Sequence, residues 1–147
     1  MGPDVDPARP LSSRGRAEVD LLAQSAAARG VKPSIVWHSG KLRAKQTAEA
    51  FWRRCNPLAA FSVVRGLQPA DPTGWIRDAI MLEQEASRDV LLVGHFPQLP
   101  QLLADLAGER ADAMPSSFPM NGMVALENVD GRWIELWRSS RSPESGV

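Results

Sequence analysis

The sequence is poor in the residues that staple or metallate a small domain. Its single cysteine, Cys55, excludes an internal disulfide. With only His38 and His95 beside it, the side chains for a structural zinc site are lacking. Net charge is missing too: 17 Lys and Arg balance 17 Asp and Glu, so there is no global basic field for nucleic acid and any anion site must be local. No apolar run approaches the roughly 20 residues of a membrane-spanning helix. The opening "MGPDVDPARP" is no signal peptide, and its sixth position lacks the Ser or Thr of a myristoylation motif. These absences lead to the expectation of a cytoplasmic protein with no nucleic-acid partner and no membrane attachment.

At 147 residues the chain suits one domain with a proper core. That domain is expected over residues 1–138, with 139–147, "SSRSPESGV", as a disordered tail. Ser12 or Ser13 can cap a helix that Gly30 stops. "SIVW" (34–37) reads as a short buried strand, and the following "KLRAKQTAEAFWRR" as a helix with Ala44, Thr47, Ala48 and Phe51 on one face. "FSVV" (61–64) is a second strand, "RGLQPADPTG" a turn-rich connection, and "WIRDAIMLEQEA" (75–86) a third helix. "DVLLVG" (89–94) is a continuous apolar run, the kind that is buried on both faces of a parallel sheet. A helical pattern follows, with Leu99, Leu102, Leu103 and Leu106 in step, and then two strands around Asp130-Gly131, a favoured two-residue hairpin turn. The fold class is therefore α/β: a mostly parallel central sheet flanked by helices, with an antiparallel end. The order is unusual in opening on a helix, as though the strand that this helix should follow were missing.

Lys41, Arg43 and Lys45 crowd the start of the second helix, where the helix dipole disfavours cations. An arginine there becomes favourable around a bound phosphate, whose oxygens its planar fork matches while backbone N–H groups point the same way. In open α/β sheets, ligands sit beyond the carboxyl ends of the strands. His38-Ser39-Gly40 and Arg43 follow one strand, and Gly94-His95 follow another on the same rim. Arg43 and His95 are thus candidates for one anion site. Lys41 and Lys45 read as solvated, and Trp52, Trp75, Trp133 and Trp137 as packing residues.

Four blocks in order resemble the histidine phosphatase superfamily, which includes the phosphoglycerate mutases. "HSGKLRAKQTAEAF" (38–51) is similar to its Ser-x-x-x-Arg-Ala-x-Gln-Thr-Ala signature, and "LLVGHFPQL" (91–99) to its second histidine block. "DPARPLSSRG" (6–15) and "GLQPADP" (66–72) resemble stretches of the short SixA-type phosphohistidine phosphatases. The resemblance implies a phosphoglycerate mutase-like fold and a phosphatase acting on phosphohistidine in a protein, or on a small phosphorylated metabolite. A histidine attacks phosphorus, and the phosphohistidine formed is hydrolysed by water. Carried over by motif, Arg43 and His95 are catalytic and hold the phosphoryl oxygens, Ser39 adds a hydroxyl, and neither metal nor other cofactor is needed. Asp71 is the only carboxylate in the loop where larger members carry a general acid, and SixA-type members generally lack that acid.

One departure matters. The nucleophile's Arg-His-Gly/Ala motif, at the end of the first strand, belongs a few residues before "DPARPL", and no such motif stands there. His38 directly precedes the second block and reads as a pocket-edge residue. The expectation is that Met1 is internal and the natural start lies about ten residues earlier, the length of a strand plus a motif. The 147 residues alone would then be marginal in stability and inactive, because the absent strand would leave unpaired backbone in an apolar interior. Two alternatives stay open: a non-catalytic module of the same fold that binds phosphate or phosphopeptide, and a plain α/β interaction domain in which Arg43 and His95 are structural.

Overall fold

The structure, a computed structural model, describes residues 8–107 and 122–140. Nine elements follow one another: α1 (Ser13–Ala28), β1 (Ile35–His38), α2 (Leu42–Cys55), β2 (Ala60–Val63), α3 (Thr73–Glu85), β3 (Val90–Val93), α4 (Gln98–Ala107), β4 (Gly122–Val129) and β5 (Arg132–Ser140). Ser12 caps α1, its hydroxyl accepting from Gly15 N at 3.0 Å. Gly30 takes the left-handed φ of +87° just past the end of α1.

The first three strands form a parallel sheet in the order β2-β1-β3, with Ile35 opposite both Ala60 and Val90. The α/β class with a parallel sheet between helices is therefore as the sequence indicates. Alternation along the strands sends side chains into two layers. Val36, Leu91 and Val93 pack on the α1–α2 side with Leu22, Ala48 and Phe51. Trp37, Val90 and Leu92 pack on the other side with Leu67, Ile76, Ile80 and Leu102 from α3, α4 and the loop between β2 and α3. The chain leaves β1 for β2 on one side, then crosses to β3 on the other. The order reverses at β1, and the crevice that such a reversal opens lies between the loops after β1 and β3.

The β4–β5 hairpin is antiparallel, with a register shift between Ala125 and Leu126. Asp130 (φ +53°) and Gly131 (φ +85°) turn it, both in the left-handed region that a tight hairpin turn requires. Arg29, just after α1, lies 4.3 Å from the Trp137 ring centroid and ties the hairpin to the helical layer. β5 runs through Ser140, so Ser139 and Ser140 belong to a strand and not to the expected tail; residues 141–147 lie outside the described residues.

Burial corrects the reading of "DVLLVG". The run promises a strand enclosed on both sides, yet all four residues of β3 are only half-buried. The cause is an open edge. Among the described residues β3 pairs with β1 alone and β4 with β5 alone. A cavity of about 790 Å³ runs between them, lined continuously by residues 89–96 on one side and 122–126 on the other. Val19, Leu22 and Phe51 line it from one helical layer, and Leu102 and Leu106 from the other. Among the described residues no helix is long and apolar enough to cross a membrane.

Candidate anion site

The site starts where β1 stops. His38 is buried, 5% exposed; its Nδ1 accepts from Gly40 N at 3.1 Å and its ring packs 5.1 Å from Phe61. Gly40 has φ +99°, and a Cβ there would stand 3.1 Å from Val63 Cγ2, so the turn needs glycine for both conformation and space. That turn aims Ser39 across the crevice. Ser39 Oγ lies 2.6 Å from His95 Nε2 and accepts from Lys41 N at 3.3 Å. Arg43 stands in the first turn of α2, its carbonyl accepting from Thr47 Oγ1 at 2.9 Å.

Arg43 and His95 line the same cavity, at the end where β3 gives way to Gly94. The structure thus sets Arg43 and His95 on one cavity, while Ser39, buried and not among the lining residues, reaches the site through its contact with His95. His38 is not among the residues lining that cavity, so it is a packed neighbour of Phe61 and not a pocket-edge residue. Burial holds its imidazole below the ordinary value of 6.5; Lys45 lowers it further and Glu49 opposes the shift. A neutral ring is what its acceptor role toward Gly40 requires.

Of the two flanking lysines, Lys45 is exposed as expected, but Lys41 is only 7% exposed. Capping position explains the difference: Lys41 precedes α2 directly and is drawn in with the Ser39 turn. Asp71 is not among the residues lining the cavity; its Oδ2 accepts from Gln68 N at 2.9 Å and closes its own loop. Trp52 donates to Ala59 O at 2.9 Å, and Trp133 packs on the core, as packing residues should. Trp75 is 55% exposed and does not pack in the same way.

Two glutamines that the sequence does not single out brace the crevice from behind. Gln68 Nε2 donates to Ser39 O at 2.6 Å, and the fully buried Gln98 donates through Nε2 to Gly66 O. Contacts 29 and 32 positions apart, one between two loops and one from the start of α4 to a loop, leave no periodic trace; the available signal was that both glutamines lie within matched blocks.

In chemical terms the site pairs a guanidinium with an imidazole–hydroxyl couple at the mouth of an apolar cavity. This suits a tetrahedral oxyanion, since the fork supplies charge and the ring and hydroxyl supply adaptable donors. Cys55 offers no second nucleophile, because burial raises its thiol above the ordinary value. Among the described residues no group of three or more His, Cys, Asp and Glu is placed to hold a metal ion.

Solved structures share this architecture. Protein histidine phosphatase SixA in complex with tungstate superposes with a TM-score of 0.82 and 26% identity, over 92% of this chain and 86% of that one. A crystal structure assigned to phosphohistidine phosphatase SixA from Agrobacterium tumefaciens gives 0.77 and 27%, over 92% and 85%. The ecdysone phosphate phosphatase of Bombix mori, at 17% identity and a TM-score of 0.57 over 67% of this chain and 56% of that one, shares the fold alone. No family model and no curated protein matches the sequence. The fold is that of the histidine phosphatase superfamily. Within it, the chain is similar to SixA phosphohistidine phosphatases over 92% of its length.

Proposed function

We propose that this chain is the body of a phosphatase that hydrolyses phosphohistidine on a protein, or a small phosphomonoester, through a phosphohistidine intermediate. One observation carries the reading: Arg43 and His95 line one cavity, and its volume is about that of a short β-strand. A strand layer about 4.8 Å wide, about 10 Å deep and about 3.3 Å long per residue fills roughly 160 Å³ per residue. At about 790 Å³, the cavity matches roughly five residues of strand. The open edges of β3 and β4 offer the backbone partners, and the apolar layers above and below suit side chains of both faces.

The nucleophile in this reading comes from residues preceding Met1, which enter the cavity as a strand parallel to β3. Its carboxyl end then arrives between Arg43 and His95. An imidazole nitrogen there attacks phosphorus as the bond to the leaving group breaks. Arg43 and His95 hold the equatorial oxygens, where charge accumulates, and Ser39 supports His95 from behind. Water then attacks the phosphohistidine, the P–N bond breaks, and inorganic phosphate and free imidazole remain. The similar structure whose name specifies phosphohistidine supports that substrate class.

A second reading has its own support. Of the chain's two histidines, His38 is turned to Phe61 and His95 is engaged by Ser39, so the 147 residues carry an anion grip without an evident nucleophile. Such a chain binds phosphate or phosphopeptide and does not hydrolyse it.

The test restores the in-frame upstream codons and measures hydrolysis of phosphohistidine and of a phosphomonoester, beside Arg43→Ala and His95→Ala variants. Turnover that needs the upstream segment and both residues is expected. Tungstate binding with no turnover in the extended protein selects the second reading, and no anion binding at all defeats both.

A further inference from the structure

Ser39 sits in the turn between β1 and α2, and His95 in the loop between β3 and α4, so neither has a helix or strand to hold it in place. We propose that Gln68 is a positioning residue of the anion site: it holds Ser39 through the backbone carbonyl and thereby sets where Ser39 Oγ meets His95. This rests on the reading of the site given above.

Gln68 is itself fixed before it reaches Ser39. Its N–H donates to Asp71 Oδ2 at 2.9 Å, and its carbonyl accepts from Asp71 N at 3.0 Å, which closes a tight local turn. Leu67 beside it is fully buried. Gly66, at φ +96°, is pressed so close to α3 that a Cβ would stand 3.2 Å from Ile76 N. The Gly66 carbonyl accepts from Gln98, three residues after His95. The 66–71 loop therefore grips both rim segments through amide side chains, although neither Gln68 nor Gln98 is among the residues lining the cavity.

Ser39 needs such a hold. The peptide that follows it leads into Gly40, whose missing Cβ removes the usual barrier to backbone rotation. Rotation of that peptide would swing Ser39 and part the 2.6 Å contact with His95 Nε2. The bond from Gln68 Nε2 to Ser39 O, also 2.6 Å, opposes it. A neutral amide suits the place, because it donates to a partly buried carbonyl without adding a charge that would have to be desolvated.

The experiment titrates the 147-residue chain with tungstate and follows the imidazole ¹⁵N–¹H correlations, which two histidines make assignable. Gln68→Leu keeps bulk and removes the donor. It is expected to weaken tungstate binding by about 2- to 12-fold, the equivalent of one net hydrogen bond. It should also shift the His95 ring signals and their titration midpoint while leaving those of His38 in place. Gln68→Ala repeats the test with a smaller side chain. Unchanged His95 signals in a folded Gln68 variant overturn the proposal, whatever happens to melting temperature. So does failure of both variants to fold, which would make Gln68 a residue of the fold and not of the site. Tungstate binding that ignores Arg43→Ala would instead defeat the reading of the site itself.

Discussion

Ser39 Oγ and His95 Nε2 lie 2.6 Å apart although 56 positions separate them in the chain. The contact joins the carboxyl ends of β1 and β3 across the crevice where the strand order reverses. A hydroxyl suits it because one O–H and two lone pairs can serve either state of the ring. Ser39 Oγ accepts Lys41 N–H and still has a lone pair for a protonated Nε2, or its own hydrogen for a bare one. The pair can thus persist while His95 gains or loses a proton.

Removing that hydroxyl should cost binding and some stability. Ser39→Ala is expected to weaken tungstate binding several-fold and to lower unfolding free energy by about 1–2 kcal/mol, since Lys41 N–H also loses its acceptor. Calorimetric titration and urea denaturation measure the two effects. An unchanged affinity would remove Ser39 from the site.

The guanidinium should matter more. Hydrogen bonds to charged groups contribute roughly 1.5–3 kcal/mol, so Arg43→Ala should weaken tungstate or phosphate binding by about 10- to 100-fold. Arg43→Lys should recover only part of this, because an ammonium cannot match two oxygens with a planar fork. The same titration decides, and equal affinities for the arginine and lysine proteins would argue against bidentate contact.

Filling the cavity should be visible at its walls. In the 147-residue chain the amides on the open edge of β3 should exchange with deuterium much faster than those of β1, which has neighbours on both sides. Restoring the upstream segment should slow exchange in β3 and β4 together and raise the melting temperature. Exchange that stays fast in the extended protein would mean that no strand enters.

A pH dependence follows from His38. Its folded-state value lies below the ordinary 6.5 because burial opposes charge. The unfolded chain therefore takes up a proton that the native chain refuses as pH falls below 6.5. Stability from this group is complete above 6.5 and declines as pH drops toward the folded-state value, by at most about 1.4 kcal/mol per pH unit. Denaturation curves between pH 5 and 7 test this, and His38→Gln should flatten that part of the profile.

Core packing offers a control. Ile76 is fully buried against Trp37, Leu67 and Ile80, so Ile76→Ala should cost about 2–5 kcal/mol in urea denaturation. At a temperature where the variant remains folded, its tungstate affinity should match the parent's.

The parts of the fold that obey local rules were legible. Asp130-Gly131 announced the hairpin, Ser12 the start of α1, and alternating helices and strands the parallel sheet. That Arg43 and His95 line one cavity agrees with placing both beyond strand ends on one rim. What stayed hidden depended on distant partners. The apolar "VLLV" run reads as enclosed because composition records what a strand prefers and not who stands beside it. Lys41 reads as solvated because its burial comes from a turn that Gly40 bends, and the Gln68 and Gln98 contacts leave no pattern because each is a single hydrogen bond from a side-chain amide to a distant backbone carbonyl.

The order β2-β1-β3 sets Arg43 and His95 just beyond the ends of two adjacent strands and, among the described residues, leaves the outer edge of β3 facing the cavity. In the function proposed above, recognition and reactivity are modular, one scaffolded by the sheet and the other by a strand that enters the cavity. Gain or loss of a single short segment would convert a catalyst into a sensor, or a sensor into a catalyst, without rebuilding the receptor for the oxyanion.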